Sequence, residues 1–189
     1  GETLSTAIGQ SFVLVTPIQM ATFISAVFNG GILYRPQATH WVGKNQNEKI
    51  FEITPEVLDK VEIETKYLEI VKRALVGVVN EPHGTGGKAK LKDITVAGKT
   101  GTAQVITLEK EKGYESEEEI PIRFRDHAWF VAVAPAENPR IALAVVVEHG
   151  GHGGSAAAPL AGKIIDAYLK GPIKVAAEGT RQLELPADH

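Results

Sequence analysis

The sequence predicts an α+β domain in which an antiparallel sheet carries helices above and below it. Three observations predict it. Two apolar runs, 127–134 and 140–148, are separated by the five residues 135–139, so they form an antiparallel hairpin. Neither run alternates apolar with polar residues, so the hairpin is expected to be buried on both faces. Segments with helical periodicity begin near residues 16, 66 and 156 and are available to cover those faces.

Length and composition set the outer bounds. At 189 residues the chain is one domain or a large part of one. Its 43% hydrophobic and 23% charged residues are ordinary for a globular core. A net charge of −3 gives no reason to expect a nucleic-acid partner. There is no cysteine, which excludes disulfides, thiolate metal sites and a cysteine nucleophile. No apolar run approaches the ~18 residues that cross a bilayer, and no basic-then-apolar leader opens the chain. The start at Gly1-Glu2-Thr3, without methionine, fits an excised piece of a longer protein.

The first helix is expected from Thr16, with Pro17 at its first position and Gln19 completing a capping box. It runs to Asn29, where Gly30 and Gly31 stop it. Ile18, Ala21, Phe23, Ile24, Val27 and Phe28 surround most of its circumference, so it is expected to be mostly buried. Residues 31–53 read as short strands and turns. A second helix covers 66–80, with Tyr67, Leu68, Val71, Leu75, Val78 and Val79 as its core stripe and Glu69, Lys72 and Arg73 opposite. The glycine-rich stretch 81–87 breaks it. A strand covers 94–105, and the hairpin follows. The last helix spans 156–170, with Leu160, Ile164, Ile165 and Tyr168 expected on the sheet and Gly171-Pro172 as its stop. The remaining 171–189 reads as a loosely ordered tail.

The strand at 94–105 carries Lys99, Thr100, Gly101 and Thr102 in succession. A lysine, two hydroxyls and a glycine along one strand edge can hold a carboxylate and let a peptide backbone come close. The bland reading is an edge strand whose lysine deters aggregation. Lys-Thr-Gly is one of three motifs of penicillin-binding enzymes, the others being Ser-x-x-Lys and Ser-x-Asn. The five serines are Ser5, Ser11, Ser25, Ser116 and Ser155, and none has Lys three residues on or Asn two residues on.

Several stretches, in order, widen that match: Ile8 to Gln10, Thr16 to Met20, Asn29 to Gly31, Val78 to Thr85, Gly98 to Gln104, Arg125 to His127, Ala134-Pro135 and Asn138-Pro139. On these the chain resembles the transpeptidase domain of class B penicillin-binding proteins, and within them the cell-elongation type. The resemblance covers residues 1–170 and implies the C-terminal portion of the penicillin-binding, serine β-lactamase-like fold. It implies a peptidoglycan D,D-transpeptidase: a serine attacks a D-Ala-D-Ala stem peptide, D-Ala leaves, and an amine of a neighbouring stem takes the acyl group. β-Lactams trap that serine.

By the same resemblance, the substrate lies antiparallel along the outer edge of the motif strand. Thr100 and Thr102 hydrogen-bond its carboxylate, Lys99 supplies positive potential, Gly101 gives clearance, and the Thr102 N–H is one oxyanion donor. The nucleophile and its base lie outside this sequence, so the piece alone is expected to be inactive. No metal or organic cofactor is implied. The parent is implied to be anchored in the inner membrane with this domain on the extracytoplasmic side, beside a glycosyltransferase partner. In the family fold strand 141–147 lies mid-sheet, so here one of its edges is expected to lack a partner and to promote self-association. Two other readings remain open: a D-Ala-D-Ala carboxypeptidase or serine β-lactamase, and a non-catalytic sensor or scaffold.

Other candidates have weaker chemistry. Asp126 and His127 invite a triad, but side chains of strand neighbours diverge and no serine has a nucleophile's context. Glu148, His149 and His152 meet on a metal only if their glycine-rich loop wraps round it. Gly84 to Gly87 lacks the Gly-Lys-Ser/Thr of a phosphate loop and follows a helix instead of a strand. The charged segment 108–125 is a mobile insertion, or a lid or partner contact, and Arg123 and Arg125 near its end add positive field.

Overall fold

A computed structural model describes residues 3–4, 9, 13–44, 47–105, 114 and 119–171. The elements run α1 (Pro17–Phe28), β1 (Ile32–Tyr34), β2 (Trp41–Gly43), β3 (Lys49–Glu52), β4 (Val57–Lys60), α2 (Thr65–Asn80), β5 (Ala97–Ala103), β6 (His127–Ala134), β7 (Ile141–Val147) and α3 (Ala157–Lys170). This is an α+β arrangement. Its centre is an antiparallel sheet in the order β5-β6-β7, with Lys99 opposite Val131, Gly101 opposite Trp129 and Phe130 opposite Val145. Two small antiparallel ribbons, β1-β4 and β2-β3, lie apart from it. Among the described residues no helix is long and apolar enough to cross a membrane.

Each face of the sheet has its own core. On one face Phe130, Ala132 and Leu143 pack with Val79, Ala89 and the Ala157, Ala158, Ala161 and Ile165 row of α3. On the other, Val131, Val133 and Ala97 pack with Ile24 and Phe28 of α1. The central strand β6 is buried on both faces, as its unbroken apolar run predicts. β7 departs from that expectation: only Leu143 is buried, because among the described residues β7 has a strand on one side only.

The cap of α1 forms as read. The Gln19 N–H donates to Thr16 Oγ1 at 3.3 Å, and the Thr16 N–H donates to Gln19 Oε1 at 2.8 Å. The expectation that α1 is mostly buried does not hold. Ile18 and Phe23 are 56% and 58% exposed, because the sheet covers only the Ile24 and Phe28 side. In α2 only the C-terminal turns reach the sheet, so Tyr67 and Val71 of the expected stripe are exposed while Leu68 and Val79 are buried. Lys72 is not on a solvated back face either; its ammonium lies 5.9 Å from the Phe28 ring centroid.

α3 corrects the expected contact face at three of its four residues, while Ile165 is buried against the sheet as expected. Leu160, Ile164 and Tyr168 are exposed, and Ala157, Ala158, Ala161, Gly162 and Ile165 are buried. Small residues let the helix come close: a Cβ on Gly162 would lie 3.2 Å from the Ala89 Cα. The motif strand is shorter than the expected 94–105. Before Ala97 the chain is held by other bonds, with the Asn80 amide donating to the carbonyls of Val76 at 2.7 Å and Val96 at 2.8 Å. β4 has no counterpart in the sequence reading. Arg35 and Glu56 tie it to the end of β1 with bonds of 2.6 and 3.0 Å. Most of 108–118 and the tail beyond 171 lie outside the described residues.

Candidate functional site

β5 is an edge strand, and its outer flank bears no strand among the described residues. Lys99 is exposed, and Thr100, Gly101 and Thr102 are half-buried. Strand alternation puts Lys99 and Gly101 toward the α1 side, with Ala97, and Thr100 and Thr102 toward the α3 side, with Phe130 opposite Thr100. The Lys99 ammonium donates to the Thr100 carbonyl oxygen at 2.9 Å. Thr102 sits opposite Ala128 in the ladder. The site lies along a ribbon edge. Open grooves also lie elsewhere, one of about 550 Å³ between Lys60 and Lys72 and one of about 340 Å³ beside α1.

Two further elements hold the strand in place. The turn after α2 brings Thr85 Oγ1 to 2.9 Å from Thr100 Oγ1. The Gly86 N–H donates to the Val78 carbonyl oxygen at 2.9 Å, so the turn's amide closes the helix end and does not cradle a phosphate. A Cβ on Gly86 would press on the Phe130 ring at 2.9 Å. The second element is the loop 148–156. Its Gly153 lies directly on the β5-β6 backbone: a Cβ there would be 2.5 Å from the Gly101 carbonyl oxygen and closer still to that of Trp129. Gly154 is in the same position against the Thr85 carbonyl oxygen, at 2.5 Å. The sequence places Thr85 in the glycine-rich stretch that ends α2 and the later glycines in a loop, with no contact expected between them and the motif strand. The double-glycine pairs were the available signal for close backbone approach.

Asp126 and His127 do diverge. Asp126 Oδ1 accepts the Val105 N–H at 3.1 Å, while His127 Nδ1 accepts the His149 N–H at 2.9 Å. The two imidazole centroids are 4.6 Å apart. His149 Nδ1 is 3.0 Å from the Arg125 carbonyl oxygen. Both side chains therefore organise the end of the sheet, and among the described residues they form no triad with a serine. Ser155 donates to the His152 carbonyl oxygen at 3.0 Å, a turn bond. Among the described residues no group of three His, Cys, Asp or Glu is placed to hold a metal ion. Arg123 stacks on Phe124 at 4.7 Å, and Arg125 Nε donates to the Ile120 carbonyl oxygen at 2.9 Å.

Comparison with known proteins agrees with the motif. Residues 1–166 match the penicillin binding protein transpeptidase domain. The chain is 37% identical over 173 residues to the peptidoglycan D,D-transpeptidase MrdA of Haemophilus influenzae, covering 89% of this chain and 26% of that one. The chain spans about a quarter of the length of the curated relatives it matches. Among solved structures it is similar to Pseudomonas aeruginosa PBP2 in complex with WCK 5153, with a TM-score of 0.64 and 32% identity over 94% of this chain and 35% of that one. It is also similar to penicillin-binding protein A of M. tuberculosis in its ceftriaxone acyl-enzyme complex. There the TM-score is 0.69 and the identity 28%, over 87% of this chain and 34% of that one.

Proposed function

Because the chain belongs to the penicillin-binding protein transpeptidase family, we propose that it supplies the substrate-gripping strand of a peptidoglycan D,D-transpeptidase. The observation that carries this reading is β5, an edge strand that offers Lys99, Thr100, Gly101 and Thr102 on a flank without a strand among the described residues. An extended stem peptide adds to such an edge by main-chain hydrogen bonds. Thr100 and Thr102 donate hydroxyl hydrogens to its terminal carboxylate, and Lys99 adds positive potential. The Thr102 N–H faces the developing oxyanion and lowers the barrier to acyl transfer. The attacking serine and its lysine base come from another part of the parent protein, since this chain has neither Ser-x-x-Lys nor Ser-x-Asn. The parent works on the extracytoplasmic side of the inner membrane beside a glycosyltransferase, and β-lactams acylate it as substrate mimics.

Fluorescent-penicillin labelling tests the reading. The intact parent is expected to label and the 189-residue chain alone is not. Thr100→Val in the parent removes a charge-assisted hydrogen bond and is expected to slow labelling about tenfold or more. Labelling of the chain alone, or an unchanged rate in Thr100→Val, overturns it.

A further inference from the structure

The loop between β7 and α3 is fastened by groups that the substrate reading does not use. The His149 N–H donates to His127 Nδ1 at 2.9 Å, and the Gly151 N–H donates to the Asp126 carbonyl oxygen at 2.9 Å. Beyond these two bonds the chain comes down on the sheet, with Gly153 against Gly101 and Gly154 against Thr85. Thr85 in turn meets the Thr100 hydroxyl. One line of contacts thus runs from the His127 ring to the α3-facing side of the motif strand.

The two histidines have opposite hydrogen-bond roles. A backbone amide only donates, so His127 Nδ1 must carry the lone pair. A carbonyl oxygen only accepts, so His149 Nδ1, at 3.0 Å from the Arg125 oxygen, must carry the hydrogen. A second proton on His149 leaves its bond intact. A proton on His127 puts donor against donor, and with ring centroids 4.6 Å apart two imidazolium charges repel. Other charged groups nearby do not substitute for this contact. Asp126 Oδ1 is taken by Val105, Arg125 Nε by Ile120, Glu148 is exposed, and β5 presents the uncharged Ala103 opposite His127. His152 is the remaining titratable group of the loop, and Lys99 is the charged residue of β5.

We propose that His127 is a positioning residue: neutral, it fastens the 148–154 loop and so supports the back of Thr100 to Thr102, and protonated, it releases both. The inference rests on the substrate-strand reading only for what release does to catalysis; the fastening itself is independent of it.

Amide hydrogen exchange followed by NMR on the full chain tests it, with rates normalised to those of an unstructured peptide. Protection of the His149 and Gly151 amides is expected to fall about tenfold between about pH 8 and about pH 5. The Thr100 and Gly101 resonances are expected to shift with the same midpoint. His127→Asn places a non-titrating oxygen where Nδ1 stood, so protection is expected to stay high at both pH values. His127→Phe keeps the ring without the acceptor and is expected to lose protection at both. If His127→Phe does not fold, the wild type and His127→Asn still decide. A pH-independent wild type, a His127→Asn variant as acid-sensitive as the wild type, or Thr100 and Gly101 resonances that stay fixed while the loop opens each overturn the proposal. None of these measurements uses penicillin, so failure of the transpeptidase reading is seen separately in the labelling assay.

Discussion

A single methyl group on Gly153 should unseat the loop that backs the motif strand. A Cβ built there falls 2.5 Å from the Gly101 carbonyl oxygen and 3.0 Å from its nitrogen, and closer still to the Trp129 oxygen. Those neighbours are backbone atoms of two paired strands, so no side chain can swing aside. To reach the 3.0 Å below which real Cβ contacts essentially never fall, the loop must rise by roughly half an ångström or more. Overpacking of this kind costs about 1–3 kcal/mol. For a domain of this size that is roughly 2–12 °C in melting temperature. Gly87→Ala is the control, because a Cβ there meets nothing within 4 Å. Circular dichroism melts of the wild type and both variants measure the difference. If Gly153→Ala melts with the control, the close approach of loop and strand is not what the distances imply, and the support described for Thr100 to Thr102 goes with it.

Two other outcomes can be measured on the same protein. Arg35 holds the Glu56 carboxyl below the usual carboxylate range, first by its hydrogen bond and then by charge. A depressed folded-state value means that the β1-β4 tie is present above the unfolded carboxylate value and is lost as pH falls through the folded one. Protection of the Arg35 amide, which donates to the Glu56 carbonyl oxygen at 2.9 Å, measured relative to an unstructured peptide, should therefore fall in acid in the wild type, and Glu56→Gln should remove that fall. For β7, bonded to β6 alone among the described residues, sedimentation velocity should reveal association that increases with protein concentration. Val146→Lys puts a charge on the strand at a half-buried position and should suppress it, and equal association in both proteins refutes an edge contact.

The parts of the fold that were legible are those specified locally. Thr16, Pro17 and Gln19 announce a helix start because the cap is made within four residues. The β6-β7 hairpin follows from two apolar runs and a short turn. The strand through Lys99 to Thr102 was legible because its residues follow one another in the chain, and the structure puts that strand at the sheet edge. What escaped depends on partners distant in the chain. Thr85 and Thr100 are 15 residues apart, and His127 and His149 are 22, with no periodicity to join them. The face of α3 was misread because size was taken as the sign of burial, whereas close packing favoured alanine and glycine. The exposure of Ile18 and Phe23 was unreadable for a related reason: the pattern of a helix states which residues are apolar, and what covers them is decided elsewhere.

The thinness of the layer under α3 has a practical side. Its outward Leu160, Ile164 and Tyr168 stand clear of the packing, so a fluorophore or spin label attached there reports on the helix without wedging it from the sheet. The inward Gly162 leaves no such latitude, and a probe placed there would pry apart the layers it was meant to watch.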